Sequence, residues 1–376
     1  MDVNRPLPLL AGLSPETFLK RHWQKKPLLV RGALPGFQPL LDRASLFALA
    51  GGEGVESRLV VHKVGGWKMR QGPFARRSLP PVSQAGWTLL VQGVDLHDDR
   101  VHDLLSQFRF VPDARLDDLM ISYATDGGGV GPHLDSYDVF LLQAQGQRRW
   151  RISRQKDHSL VDGVPLKVLA NFEAQQEYVL DPGDMLYLPP GYAHEGVALG
   201  ECMTYSIGFR APGRGELARD LLERMAGDAA EAAGEALYRD AGQPPASAPG
   251  AIPAGLLAFA REALEDVMRE PDMLARALGE SLTEPKANVW FEASPAPAAP
   301  AQLKAGVVLD RRTRMMHDAR HVFINGEGYR AAGRDATLMR RLADERSLDG
   351  RALAGASEDA RTLVLSWLEA GWLHGR

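Results

Sequence analysis

The chain has a single cysteine, Cys202, among its 376 residues. An intrachain disulfide is therefore impossible, and this composition is typical of proteins from a reducing compartment, so we expect the cytoplasm. The sequence also lacks an apolar run of about 18 residues, which a membrane-spanning helix would need. No long apolar segment precedes the charged run at 20–26, so we expect no signal peptide and no membrane partner.

The chain lacks a strong excess of either charge. Its formal net charge is -4, divided into -7 over residues 1–300 and +3 over residues 301–376. A strongly basic surface would indicate a nucleic-acid partner, and this balance does not. We therefore do not expect direct nucleic-acid binding.

Short apolar or alternating segments separated by Gly, Pro and Asp fill residues 1–210. This pattern predicts many short strands without regular intervening helices, and so an antiparallel sandwich or barrel. We place strands at 27–31, 88–92, 119–124, 139–142, 149–152, 177–180, 185–188 and 203–209. A short helix is predicted from the N-cap Ser14 to about Trp23.

The remainder of the chain divides into two parts. Residues 211–290 carry apolar positions at helical spacing and predict helices at 216–238, 256–268 and 273–282. A proline- and alanine-rich stretch at 294–300 marks a boundary. Residues 300–376 predict a hairpin around Asn325–Gly326 and helices at 335–345 and 358–370, which resembles a winged helix. Its mild charge favours a structural or protein-docking role over nucleic-acid binding.

His133, Asp135 and His194 are the predicted metal ligands. Residues i and i+2 of a strand point to the same face, so His133 and Asp135 can reach one ion. His194 follows 59 residues after Asp135, within a Pro-Pro-Gly-x-x-His sequence that begins another strand. Two imidazoles and one carboxylate form the set that holds non-haem Fe(II) with open coordination positions. The alternative is that His133 caps a turn and His194 is a surface histidine.

Fe(II) chemistry needs a cosubstrate that supplies electrons, and 2-oxoglutarate with O2 fits an open site of this kind. The far carboxylate of 2-oxoglutarate needs a cation, for which we select Arg148. Strand alternation places Arg148 with Trp150 and Ile152 on an apolar face, where a guanidinium needs an anion. Ser122, on a preceding predicted strand, is a candidate hydroxyl for the same carboxylate. The alternative for Arg148 is a buried salt bridge to an acid of the protein.

Two other motifs are assigned structural roles. The glycine-rich segment 127–132 lacks the Gly-Lys-Ser/Thr of a phosphate-binding loop and precedes a strand, so we expect a tight turn beside the metal. Asp184, in a Pro-Gly-Asp sequence, is predicted to be a turn residue, and Cys202 a small core residue.

The segments around the three predicted ligands resemble a known family. His133-Leu-Asp-Ser-Tyr-Asp-Val-Phe and the Asp-Pro-Gly-Asp-Met-Leu-Tyr-Leu-Pro-Pro-Gly-Tyr-Ala-His segment that ends at His194 are similar to JmjC-type 2-oxoglutarate oxygenases of the cupin superfamily. The segments 117–122, 127–135 and 205–212 resemble, more narrowly, the bacterial ribosomal oxygenases. The resemblance implies a mainly β double-stranded β-helix with a helical dimerisation region and a C-terminal winged helix. It also implies Fe(II) on His133, Asp135 and His194, and 2-oxoglutarate on Arg148 and Ser122.

By this resemblance we expect a homodimeric hydroxylase that acts on an arginine β-carbon of a large-subunit ribosomal protein, L-sixteen in that family. Human relatives hydroxylate histidine and use a lysine for the cosubstrate, so Arg148 favours the bacterial branch. Three alternatives remain: an oxygenase acting on another protein, a cupin isomerase or dioxygenase without 2-oxoglutarate, and a winged-helix regulator with a ligand-sensing cupin domain.

Overall fold

The computed structural model describes residues 2–63 and 66–376. The chain forms two compact units, Met1–Ala211 and Pro212–Arg376. The further division of the second unit near residues 290–300 remains a prediction. Among the described residues, no helix is both long enough and apolar enough to cross a membrane.

The first unit is dominated by strands. They are β1 Leu28–Val30, β2 Ser57–Lys63, β3 Gly66–Gln71, β4 Trp87–Val91, β5 Leu116–Ala124, β6 His133–Leu134, β7 Val139–Ser153, β8 Gln176–Leu180, β9 Met185–Leu188 and β10 Ala193–Phe209. Its helices are α1 Pro15–Arg21, α2 Arg43–Leu49 and α3 Asp99–Ser106. As predicted, Ser14 begins α1, and its hydroxyl accepts a hydrogen bond from the Thr17 amide at 3.2 Å.

All strand pairs of this unit are antiparallel, in the order β1-β9-β7-β10-β5-β4-β2-β3, with β6 on β10 and β8 on β7. The long strands β7 and β10 pair with each other and change their other neighbours along their length. The first part of β7 pairs with β9 and its last part with β8. Similarly, β10 pairs with β6 at its start and with β5 at its end. This arrangement confirms the predicted cupin-type β fold.

Two buried clusters support the site-bearing strands. The larger one includes Phe18, Trp87, Tyr123, Phe140 and Tyr205, between the sheet and the N-terminal helices. A second cluster contains Val139, Leu141, Trp150, Ile152, Leu180, Leu186 and Leu188, from β7, β8 and β9. Burial of Trp150 and Ile152 in this cluster fixes which face of the last part of β7 points inward. Cys202 is fully buried beside Ala124 and Ala198, as expected of a small core residue.

The second unit combines helices with two small sheets. Its elements are α4 Arg214–Met225, α5 Ala229–Ala233, α6 Ala254–Arg269, α7 Met273–Thr283, β11 Gly306–Leu309, β12 Met315–His317, β13 His321–Ile324, β14 Glu327–Arg330, α8 Gly333–Glu345, β15 Ser347–Asp349, α9 Gly350–Ala354, α10 Glu358–Glu369 and β16 Leu373–Gly375. The predicted hairpin is present as β13 and β14. Helix α7 packs on it so closely that a Cβ at Gly279 would lie 2.3 Å from the Phe323 ring.

Candidate metal and cosubstrate site

His133, Asp135 and His194 converge in the first unit. His133 lies on β6 and pairs in register with His194 on β10, so hydrogen bonding between the two strands sets the spacing of the two rings. The ring centroids are 4.2 Å apart. Asp135 Oδ1 lies 4.0 Å from His133 Nε2, and Asp135 Oδ2 lies 3.6 Å from His194 Nε2. One ligand atom from each residue falls within 4.8 Å of the other two, which is close enough to share one ion.

Backbone carbonyls orient both imidazoles. The Nδ1 atom of His133 lies 2.9 Å from the Gly131 carbonyl oxygen, and the Nδ1 atom of His194 lies 3.0 Å from the Tyr192 carbonyl oxygen. A carbonyl can only accept, so each Nδ1 donates and each Nε2 keeps its lone pair. This tautomer presents both Nε2 atoms to the cluster, as metal-binding histidines require.

Burial favours the neutral form of His194. Desolvation, followed by the nearby His133, lowers the pKa of His194 to about 4, although Asp135 acts in the opposite direction. The imidazole is therefore uncharged at neutral pH, and the uncharged form is the one that binds a metal ion. The surface-histidine alternative for His194 is wrong, because its side chain is almost fully buried.

Glycines shape the approach to this cluster. Gly131 adopts a positive φ of 80°, and a Cβ there would lie 2.9 Å from the Trp67 ring. The expected tight turn before His133 is thus present. Gly196 faces Trp150 across β10 and β7, and a Cβ on it would lie 2.7 Å from the Trp150 ring. That ring also lies beside His194, with centroids 5.9 Å apart.

Among the described residues, the buried cation Arg148 has no acidic partner. Strand alternation on β7 is as predicted, since Arg148, Trp150 and Ile152 are buried while Arg149 and Arg151 are only partly so. The Arg148 Nη1 donates to Ser122 Oγ at 3.3 Å, but its Nε and Nη2 are buried and have no hydrogen-bond partner. Its guanidinium carbon lies 5.8 Å from the Trp150 ring centroid.

The buried salt-bridge alternative for Arg148 is not what the described residues form. A buried guanidinium with unpartnered N–H groups is unfavourable until an anion accepts them. The hydroxyl of Ser122 donates to the Thr204 carbonyl at 3.3 Å while it accepts from Arg148, which holds it beside the guanidinium. The two side chains therefore fit a carboxylate-binding position.

One residue singled out in the sequence, Asp184, lies outside this arrangement. Asp184 accepts from the amides of Asp181 and Gly32 and pairs with Arg31, so it closes the turn before β9 as predicted.

The carbonyls of Gly131 and Tyr192, which orient the two imidazoles, could not be predicted from the sequence. Every residue carries a carbonyl, so no side-chain pattern could have marked these two.

The fold and the two-histidine, one-carboxylate cluster together define a JmjC-domain protein. The JmjC domain model matches residues 103–217, which contain all three ligand candidates. A second family model, the ROXA-like winged helix, matches residues 262–374.

The chain belongs to the ribosomal oxygenase family. It is 35% identical over 361 residues to the ribosomal protein uL16 3-hydroxylase of Escherichia coli, and the match covers 93% of each chain. A probable ribosomal oxygenase of Haemophilus influenzae is 38% identical over 205 residues, covering 53% of this chain and 50% of that protein. The structure of YcfD, a ribosomal oxygenase from E. coli, in complex with cobalt and 2-oxoglutarate matches with a TM-score of 0.82 and 32% identity, over 95% of this chain and 97% of that one.

Proposed function

We propose that this protein is an Fe(II)- and 2-oxoglutarate-dependent hydroxylase of a ribosomal protein, with an arginine β-carbon of uL16 as its target. The 35% identity over 93% of both chains to a uL16 3-hydroxylase supports this substrate. The reaction type is inferred from one observation: the same unit contains the ligand cluster and a buried arginine with unpartnered N–H groups. Such a substrate also fits a cytoplasmic location.

His133, Asp135 and His194 would hold Fe(II) through the two Nε2 atoms and a carboxylate oxygen. The carbonyls of Gly131 and Tyr192 keep the two rings oriented by accepting their Nδ1–H groups. When bound, Fe(II) and 2-oxoglutarate together activate O2, with release of succinate and carbon dioxide. The cobalt and 2-oxoglutarate complex of the E. coli relative supports a metal and this cosubstrate.

Arg148 and Ser122 would receive the far carboxylate of 2-oxoglutarate. The guanidinium has two nitrogens, Nε and Nη2, whose N–H groups have no partners, and a carboxylate can accept one N–H from each side by side. Burial strengthens this contact, because the protein interior screens the attraction between the two charges less than water does. Trp150 contacts both Arg148 and His194, so it holds the cosubstrate position and the metal position in fixed relation.

The direct test supplies a uL16 peptide, Fe(II), 2-oxoglutarate and oxygen to the purified full chain. We expect one oxygen atom to be added to one arginine, located by tandem mass spectrometry, in step with succinate release. A peptide with that arginine replaced by lysine is the matched control. Turnover of 2-oxoglutarate on a different ribosomal protein, with no change in uL16, would reassign the substrate.

We also propose that two copies of the chain pair through the helices at 214–283. In α4 and α6, only Met225 and Val267 respectively are fully buried. Apolar side chains of α4, α6 and α7 remain exposed, namely Leu222, Leu256, Leu257, Leu264, Met268 and Leu274. An exposed apolar surface of this kind is typical of an interface between subunits.

Light scattering should therefore give twice the chain mass of 41.1 kDa at micromolar concentration. The double variant Leu257→Glu, Leu264→Glu should give the single-chain mass, because each introduced charge would be desolvated in the interface. Leu160→Glu is the control, since Leu160 is exposed in the first unit. A monomeric wild-type protein under these conditions would contradict the proposal.

A further inference from the structure

One segment of this mildly acidic protein carries basic residues and no acidic ones. Residues 57–94 contain six Lys and Arg residues and no Asp or Glu, although the whole chain carries -4. The cations are Arg58, Lys63, Lys68, Arg70, Arg76 and Arg77. The segment contains β2, β3 and β4, and β3 is the last strand at one end of the sheet. The overall charge balance therefore conceals a locally basic segment.

A cleft of about 490 Å³ lies along the β2–β3 pair. Its apolar lining comes from Leu59, Val61, Leu79 and Pro80, and its polar lining from Lys63, Lys68, Arg70, Ser78 and Gln84. All three basic side chains are exposed. The cleft thus combines an apolar surface with cations and an amide, and its volume lies within the usual range for ligand sites.

The cleft and the metal cluster face opposite sides of the sheet. Directly paired residues of neighbouring strands point to the same face. Ser122, which touches Arg148, pairs with Leu90, and Leu90 pairs with Arg58, so Arg58 shares the site face. Leu59 is next to Arg58 in β2 and pairs with Arg70 in β3, so both lie on the other face. An occupant of the cleft would not compete with a substrate side chain at the metal.

The cations of the cleft have no acidic partners among residues 2–63 and 66–376. Within the described residues, Lys63 and Lys68 form no ion pair, and Arg70 donates only to the Ser78 carbonyl, at 3.3 Å. The Arg70 guanidinium also lies 5.4 Å from the Phe74 ring centroid, which limits its freedom. Its remaining N–H groups are available to an anion. Neighbouring Arg76 and Arg77 are exposed and extend the positive surface beyond the cleft.

We propose that this basic cleft binds the phosphate backbone of RNA. The proposal goes beyond the hydroxylase function and reverses our expectation from the overall charge. A ribosomal protein is itself basic, so a surface of the same sign would repel it. The RNA with which such a protein assembles has the opposite sign, and an apolar surface edged by cations suits a ribose or base between phosphates. The enzyme would then engage its substrate's RNA partner on one face of the β2–β3 pair, away from the metal.

Fluorescence anisotropy with a labelled single-stranded RNA of mixed sequence tests this on the full chain, without turnover. Three phosphate contacts predict a slope of about -2 in log affinity against log salt, or a loss of about 20-fold between roughly 50 and 200 mM salt. The triple variant Lys63→Glu, Lys68→Glu, Arg70→Glu should lose at least about tenfold in affinity at low salt. The single variants Lys63→Gln and Lys68→Gln, which disturb folding least, should each reduce the slope by about 0.7.

The matched control is Arg5→Glu, Lys26→Glu, Arg239→Glu, which makes the same change in net charge at exposed residues elsewhere. An equal loss in both triple variants would mean that net charge alone attracts RNA, and would overturn the proposal. Absence of RNA binding by the wild-type protein would also overturn it. So would equal competition by polyglutamate, which would assign the cleft to an acidic polypeptide. Because no outcome depends on hydroxylation, failure here leaves the proposed enzyme activity to its own test.

Discussion

Replacing His133, Asp135 or His194 by alanine is expected to abolish turnover and to weaken Fe(II) or Mn(II) binding in each case. Two remaining ligands rarely hold a divalent ion, even when the remaining histidine rings keep their orientation. Succinate release measures turnover, and electron paramagnetic resonance measures the binding of Mn(II). Circular dichroism should show that the fold survives, because the buried clusters of the barrel do not include these side chains.

His158→Ala is a suitable control for the metal experiment. His158 is exposed, and its Nε2 contacts the Gln155 carbonyl rather than the ligand cluster. We expect this variant to keep its metal affinity and turnover. Full activity in any one of the three alanine variants would remove that residue from the ligand set.

Arg148→Ala is expected to raise the Michaelis constant for 2-oxoglutarate strongly. Loss of a charge-assisted, two-pronged contact in a buried pocket should cost about 2–5 kcal/mol, or roughly 30-fold to several thousand-fold. Arg148→Lys should recover only part of the loss, because an ammonium cannot reproduce the planar fork. Succinate production against 2-oxoglutarate concentration gives the three constants to compare.

Arg149→Ala is the internal control for this series. Arg149 is the next residue of β7 and points to the opposite face of the strand. Its substitution should change the constant far less than that of Arg148. Normal kinetics in both variants would refute the cosubstrate assignment and favour a cupin protein that works without 2-oxoglutarate.

Most strands of the barrel could be predicted from strongly apolar segments. Elements with weak or short apolar patterns could not. The predicted segments at 139–142 and 149–152 are parts of one strand, β7, because pairing with β10 carries the intervening polar residues. Strands β2 and β3 were not predicted, and β3 lies at the sheet edge with none of its six residues buried. Helices α2 and α3 were missed because seven or eight residues give little periodicity, although Asp42 and Asp98 cap them.

The helical region was predicted in outline but not in its breaks. The single helix expected at 216–238 is two helices, α4 and α5, which leave 226–228 between them. Glycine at 227 disfavours a continuous helix there. Residues 234–238 are not helical, because Gly234 takes a positive φ of 75° directly after α5. Apolar spacing alone does not register such interruptions.

At the candidate site, the sequence predicted side chains that the structure brings together, but not their environment. Period-two alternation was enough to predict that His133 and Asp135 share a face and that Arg148 is buried. The register between His133 and His194 could not be predicted, because it depends on the pairing of strands whose histidines are 61 positions apart in the chain. The Trp67 contact beside Gly131 was unpredictable for the same reason, since β3 itself was not identified.

The unpartnered guanidinium of Arg148 also has a consequence for the stability of the fold. Removing a charge from water costs several kcal/mol, and in the ligand-free fold no carboxylate among the described residues offsets that cost. On the proposed role of Arg148, the protein without 2-oxoglutarate would be the less stable form, and the dicarboxylate would act as a stabilising ligand whose effect grows with its concentration relative to its dissociation constant. Cellular 2-oxoglutarate would then govern how long the protein persists as well as how fast it works.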